Sequence, residues 1–157
     1  DGLTDCHLLF EPGRMIAGNA GVLVSEVIYT KRNGNRRFVI IDAAMNDLAR
    51  PAMYGAYHDI VPVVQDPTRK SVSVDIVGPV CETGDTFAEQ RNIPMPKAGE
   101  LLAIRSCGAY GAVMANSYNS RLLIPEVLVN GGDYVVTRAR PTYEVMLQAE
   151  AMPSWLT

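Results

Sequence analysis

An Asn33-Gly34 pair stands between two β-favouring runs, Val22, Val24, Val27, Ile28 and Tyr29 before it and Phe38-Val39-Ile40-Ile41-Asp42-Ala43 after it. Asn-Gly supplies the backbone angles of a tight turn, so this stretch predicts a β-hairpin. Short apolar runs broken by Gly, Pro and Asn recur down the chain, at residues 60–64, 72–77, 101–105, 124–129 and 134–137. Long helical periodicity is scarce, and the rhythm of six or so strands predicts a mostly β domain, barrel-like in closure. Helical turns are expected at Met15–Ala20 and around Arg50, with a short helix or extension at Tyr143–Ala151. No strand is assigned to Thr86–Gly99, whose end is broken by Pro94 and Pro96.

The 157 residues are enough for one domain with its own core. Nearly half are apolar, a fifth are charged and the net charge is only −3, which excludes a disordered chain and argues against a nucleic-acid surface. No apolar run approaches the ~20 residues of a membrane span, and the opening Asp1-Gly2-Leu3-Thr4-Asp5 lacks signal-peptide character, so a cytoplasmic protein is expected. Three widely spaced cysteines suit neither a disulfide framework nor a zinc site, and free thiols without a metal are the expectation. Asp5-Cys6-His7-Leu8-Leu9-Phe10 reads as a strand that arrives without a preceding partner, as in the tail of a longer chain.

Four stretches carry candidate chemistry. Gly78-Pro79-Val80-Cys81-Glu82-Thr83-Gly84-Asp85 places a thiol among carboxylates in a turn between apolar runs. Neighbouring anions raise a thiol's pKa, so Cys81 suits a proton donor better than a thiolate nucleophile, though a small buried hydrophobe is the bland alternative. Glu11-Pro12-Gly13-Arg14 presents an acid and a base at a bend, equally the pattern of a turn closed by a surface ion pair. Arg50 and Tyr54, four apart, share a face if helical; His58 beyond them is a base or, more simply, a structural lining residue. Gly108-Ala109-Tyr110-Gly111 lets backbone approach a ligand beside a phenol, or is just a glycine-rich bend around a packed tyrosine. The basic Lys31–Arg37 tip reads chiefly as a solvated hairpin end and Cys107 as core.

Taken in order with Tyr118-Asn119-Ser120-Arg121, these motifs resemble the C-terminal portion of the diaminopimelate decarboxylase family, pyridoxal-phosphate enzymes of the alanine-racemase-like fold type. The resemblance spans nearly the whole chain. It implies that residues 1–20 end an N-terminal (β/α) barrel, supplying its last strand, and that 21–157 form the C-terminal β-barrel domain. It implies that Glu11, Pro12, Gly13, Arg14 and Tyr110 lie against pyridoxal 5′-phosphate, and that Arg14, Arg50, Tyr54, Glu82 and Tyr110 bind meso-diaminopimelate. Cys81 is then the catalytic proton donor, delivered with Glu82 across a homodimer interface into the partner's site. Thr83, Gly55 and the Leu122-Leu123-Ile124 stretch depart from the family's commoner residues. Lys31, Lys70 and Lys97 are the only lysines and none has the context of a cofactor lysine, so the fragment alone is expected to be inactive.

Three other readings stand beside this one. A relative acting on ornithine, arginine or carboxynorspermidine tends to carry aspartate after the cysteine, where this chain has Glu82. A non-catalytic dimerisation module would not need Cys81, Arg14 and Tyr110 intact. A thiol hydrolase would pair Cys81 with His58.

Overall fold

A computed structural model describes residues 5–156. Asp1–Thr4 and Thr157 lie outside them, and with them the opening considered above and the outer limits of the two domain ranges. Eight strands carry the fold: β1 (Leu23–Asn33), β2 (Arg36–Ile41), β3 (Ile60–Pro62), β4 (Ser71–Val77), β5 (Thr86–Pro94), β6 (Leu101–Ile104), β7 (Glu126–Asn130) and β8 (Asp133–Arg138). Helices α1 (Arg14–Ala17), α2 (Arg50–Tyr54) and α3 (Tyr143–Leu147) are each a turn or so long. The mostly β expectation holds.

Six strands form one sheet in the order β3-β6-β1-β2-β4-β5, antiparallel throughout except between β2 and β4. β1 organises it. Its first residues pair with β6 (Leu23↔Ile104 to Glu26↔Leu101), and beyond an irregularity at Val27/Tyr29 it pairs with β2 as far as Asn33↔Arg36. A bulge of this kind bends a strand and increases its twist, so one long strand serves two neighbours and the sheet curls. The edges then approach: Arg91 of β5 donates from Nη1 to the carbonyl of His58, just ahead of β3, at 2.9 Å, leaving a nearly closed barrel.

Alternation selects the inward residues. Leu23, Ser25 and Val27 are buried while Val24 and Glu26 face out. With Val39, Ile41, Leu48, Ile60, Val74, Ile76, Ile93, Leu102 and Ile104 they fill the interior, each large aliphatic side chain contributing about 1.5–3 kcal/mol relative to exposure. Ser25 is satisfied at the corner where β1 meets the end of β2: its hydroxyl donates to Asp42 Oδ1 at 2.6 Å and accepts from Ala43 N–H at 2.9 Å.

Three expectations need adjustment. The hairpin forms, but its central residues are Gly34-Asn35, with Gly34 at φ +57°, because Asn33 still pairs with Arg36. Thr86–Pro94 is a strand after all. Asp5–Phe10 form no strand: Leu8, Leu9 and Phe10 are 67–93% exposed. A strand exists only as a member of a ladder, and no described segment runs beside these residues. Among the described residues no helix is long and apolar enough to cross a membrane.

Candidate active site

Glycine contacts build one half of the site. A Cβ on Gly108 would collide with the carbonyl of Ala17, and one on Gly21 with the backbone of Gly108. Cys107 N–H donates to Gly21 O at 2.9 Å, Gly108 N–H to Gly18 O at 3.0 Å, and Ser106 Oγ to Asn19 Oδ1 at 2.8 Å. These contacts clamp the α1 segment onto the loop after β6. Gly108 therefore serves an approach of chain to chain, and Gly111, whose Cβ would meet Cys107 O, does the same. The ligand-approach reading of the two glycines is replaced by this one.

The clamp sets Gly13 beside Tyr110, whose hydroxyl lies 3.6 Å from where a Gly13 Cβ would stand. Tyr110 holds φ +58°, a left-handed conformation that bulky residues rarely adopt and that tends to be retained at functional positions. Arg50 opens α2 beside Pro51, which suits a first turn. Its guanidinium lies 5.4 Å from the ring centroid of Tyr54 and 5.5 Å from that of Tyr110. Its Nε is buried and has no hydrogen-bond partner among the described residues. A planar guanidinium over two aromatic rings with a buried N–H left over has the chemistry to receive a carboxylate or phosphate. Among the described residues, Arg14, at the exposed start of α1, makes no side-chain hydrogen bond or ion pair, and the alternative ion pair with Glu11 does not form.

The Gly78–Asp85 turn builds the other half, projecting between β4 and β5 as expected. Cys81 is exposed, and Glu82 Oε1 accepts from Gly84 N–H at 3.2 Å. The turn lies against α2, where a Gly84 Cβ would come within 3.9 Å of Ala52. Among the described residues, no hydrogen bond, ion pair or ring contact joins Cys81 or Glu82 to Arg14, Arg50, Tyr54 or Tyr110 within one protomer.

Buried Asp85 anchors this turn, a role that its place in the motif did not disclose. Burial pushes its carboxyl above the ordinary 3.8, with the N–H groups of Val80 and Met45 and the charge of Arg121 pulling the other way. Asp47 is likewise raised by burial against the Ala44 N–H, Arg121 and Arg140. Neither was found from sequence, because their partners are backbone groups or lie far along the chain.

His58 is no partner for Cys81. It is 1% exposed, its Nδ1 meets the Arg105 carbonyl at 2.9 Å, and its thiol neighbour is Cys107 at 3.9 Å. Burial pushes the Cys107 thiol up to about 11, in keeping with a core role. At the basic hairpin tip, Arg36 is engaged with Asp75 at 2.7 Å and with the Phe38 ring. Among the described residues no group of three or more His, Cys, Asp or Glu could hold a metal.

Residues 14–108 match the family described as pyridoxal-dependent decarboxylase, C-terminal sheet domain. The chain belongs to this family. Diaminopimelate decarboxylase from Zymomonas mobilis is 52% identical over 152 residues, covering 97% of this chain and 36% of that protein. The crystal structure of diaminopimelate decarboxylase from M. jannaschii in co-complex with L-lysine superposes with a TM-score of 0.88 at 37% identity, over 94% of this chain and 33% of that one. AQ1208 from Aquifex aeolicus gives 0.85 at 48% identity, over 88% and 34%. The chain thus spans about a third of the length of the curated relatives it matches.

Proposed function

We propose that this chain is the C-terminal part of a cytoplasmic, homodimeric diaminopimelate decarboxylase, which converts meso-2,6-diaminopimelate to L-lysine and carbon dioxide. The observation that carries the reading is Arg50, its guanidinium over the rings of Tyr54 and Tyr110 and its buried Nε unpartnered among the described residues, on a chain about half identical to proteins of that name. In this reading residues 1–20 end the preceding barrel and 21–157 are the sheet domain.

The substrate has two carboxylates and two ammonium groups. Arg50 and Arg14 take the carboxylate remote from the reaction, Tyr54 completes that pocket, and Glu82 takes the remote ammonium. Glu11 to Arg14 and Tyr110 would hold pyridoxal 5′-phosphate, which would supply an electron sink for the decarboxylation. The bare backbone at Gly13 beside the Tyr110 hydroxyl suits a flat ring, and an unused guanidinium N–H suits an anion. Lys31, Lys70 and Lys97 lie outside this cluster, so a covalently anchoring lysine belongs to the part of the protein preceding this chain.

Cys81 returns a proton to the carbon that lost carbon dioxide. A thiol in this role must be protonated before the step and re-protonated from water after it, and an exposed turn allows that exchange. That no hydrogen bond, ion pair or ring contact joins Cys81 to Arg14 or Tyr110 within one protomer, among the described residues, supports a thiol lent to a neighbour. Arg50 favours diaminopimelate over ornithine, whose remote end carries an ammonium for Glu82 but no carboxylate for the guanidinium.

The test is carbon dioxide release by the intact, pyridoxal-phosphate-loaded protein. We expect kcat/KM for meso-diaminopimelate to exceed that for ornithine by at least about 10³-fold, because an unfilled Arg50 site leaves a buried donor unpaired. Equal turnover of the two, or preference for ornithine, would refute the assignment.

A further inference from the structure

The proposed chemistry uses Cys81 and Glu82, but a different residue of the same turn decides where they stand. Asp85 is 3% exposed. Its Oδ2 accepts from the N–H of Val80, the residue before Cys81, at 2.8 Å, and its Oδ1 accepts from Met45 N–H at 2.7 Å. Met45 belongs to the connection from β2 to α2, the helix that carries Arg50 and Tyr54. The neck of the turn closes on the same residue, with Gly78 N–H donating to Asp85 O at 2.9 Å and Asp85 N–H to Glu82 O at 3.1 Å. The carboxylate occupies the place where a side chain at residue 78 would stand.

The receiving segment is itself fixed. Asp47 Oδ2 accepts from Ala44 N–H at 2.8 Å and faces Arg121 at 3.6 Å; Arg121 donates to Asp42 O at 2.7 Å, and Asn46 Nδ2 to Tyr118 O at 2.6 Å. From the residue before Cys81 to the segment leading into α2, the link is one short carboxylate and two backbone N–H groups, with no flexible side chain in it.

We propose that Asp85 is a positioning residue that holds the proton-donating turn in register with the α2 segment, so that one frame sets both the thiol and the carboxylate-binding guanidinium. This rests on the decarboxylase reading above. In a dimer that exchanges the turn, each protomer's α2 segment then governs where its thiol arrives in the neighbouring site.

Two variants of the intact, cofactor-loaded protein test it. D85N keeps the size but turns an acceptor into a donor facing an N–H, whereas G78A leaves Asp85 intact and puts a methyl group where its carboxylate stands. We expect each to lower kcat for meso-diaminopimelate about 10–100-fold while the bound-cofactor spectrum stays unchanged. The double variant should be no worse than the more damaging single, since both break one contact. In deuterium oxide the wild type should deliver deuterium to one face of the decarboxylated carbon and D85N to both, a readout that general destabilisation would not move. Should D85N fail to fold, G78A carries the same comparison. Wild-type kcat in the variants, or reduced kcat with single-face delivery and additive losses, overturns the proposal. An inactive wild type instead overturns the decarboxylase reading on which it rests.

Discussion

Cys81 and Arg50 sit in opposite environments, and each placement dictates a different response to substitution. Cys81 is exposed and unpaired, its side chain without a hydrogen bond among the described residues, so Cys81→Ala should leave folding and cofactor binding intact while lowering kcat about 10²–10⁴-fold, the usual span for loss of a general acid; a steady-state assay with a cofactor spectrum checks both. Arg50→Lys should not be conservative. An ammonium cannot reproduce the planar fork held over Tyr54 and Tyr110, and KM for meso-diaminopimelate should rise about 10–100-fold through loss of bidentate hydrogen bonding. At this scale the sequence was informative, since Arg50 and Tyr54 at a spacing of four could meet only on a helical turn, and they do. It was silent about Asp85, whose partners are backbone groups that any residue would supply, and about Tyr110's left-handed backbone, which has no compositional mark.

Among the elements, β5 shows why part of the sheet escaped the sequence. Its alternation is broken where Asp75 of β4 faces a bulge: Gln90 turns to φ +47°, and its N–H donates to Asp75 Oδ1 at 2.8 Å. Two registers of inward residues, Phe87 and Ala88 before the bulge and Ile93 after it, read in one dimension as no pattern at all. Gln90→Gly keeps that N–H and relieves the strained conformation, so it should stabilise the protein by roughly 0.5–1 kcal/mol, read as a modest rise in Tm. The clamp of Gly21 on Gly108 was illegible for a related reason: it joins glycines far apart in the chain, and only the fold makes them neighbours.

Asp75 gives the same strand pair a pH signature. Burial pushes its carboxyl up, but Arg36 and the Gln90 N–H outweigh that and hold it below the ordinary 3.8. A carboxyl lowered by folding stabilises the protein above its unfolded value, and the contribution is lost as pH falls through the lower folded one. Asp75→Asn should therefore cost about 1–2 kcal/mol at neutral pH. Denaturant titrations at pH 7 and below pH 3.8 should show the gap closing on acidification; a constant gap would mean that the ion pair is not its source.

Over the whole molecule, the mostly β, nearly closed barrel was readable because short apolar runs and turn residues specify strands locally, whereas the order of the strands was not. That order depends on β1 bending to serve β6 and β2 in turn, and on Arg91 drawing the two edges together. The finished barrel gathers Arg50, Tyr54 and Tyr110, with Gly13 beside Tyr110, and displays Cys81 and Glu82 on the turn between β4 and β5. In the proposed homodimer these are two halves of one site, which exchange across a twofold axis would complete. The most direct test is to mix inactive Arg14→Ala subunits with inactive Cys81→Ala subunits of the intact protein, allow exchange, and measure carbon dioxide release from meso-diaminopimelate. If the halves meet across the interface, half of the random dimers regain one sound site, and activity should return to about a quarter of wild type; no recovery despite verified exchange would contradict a shared site.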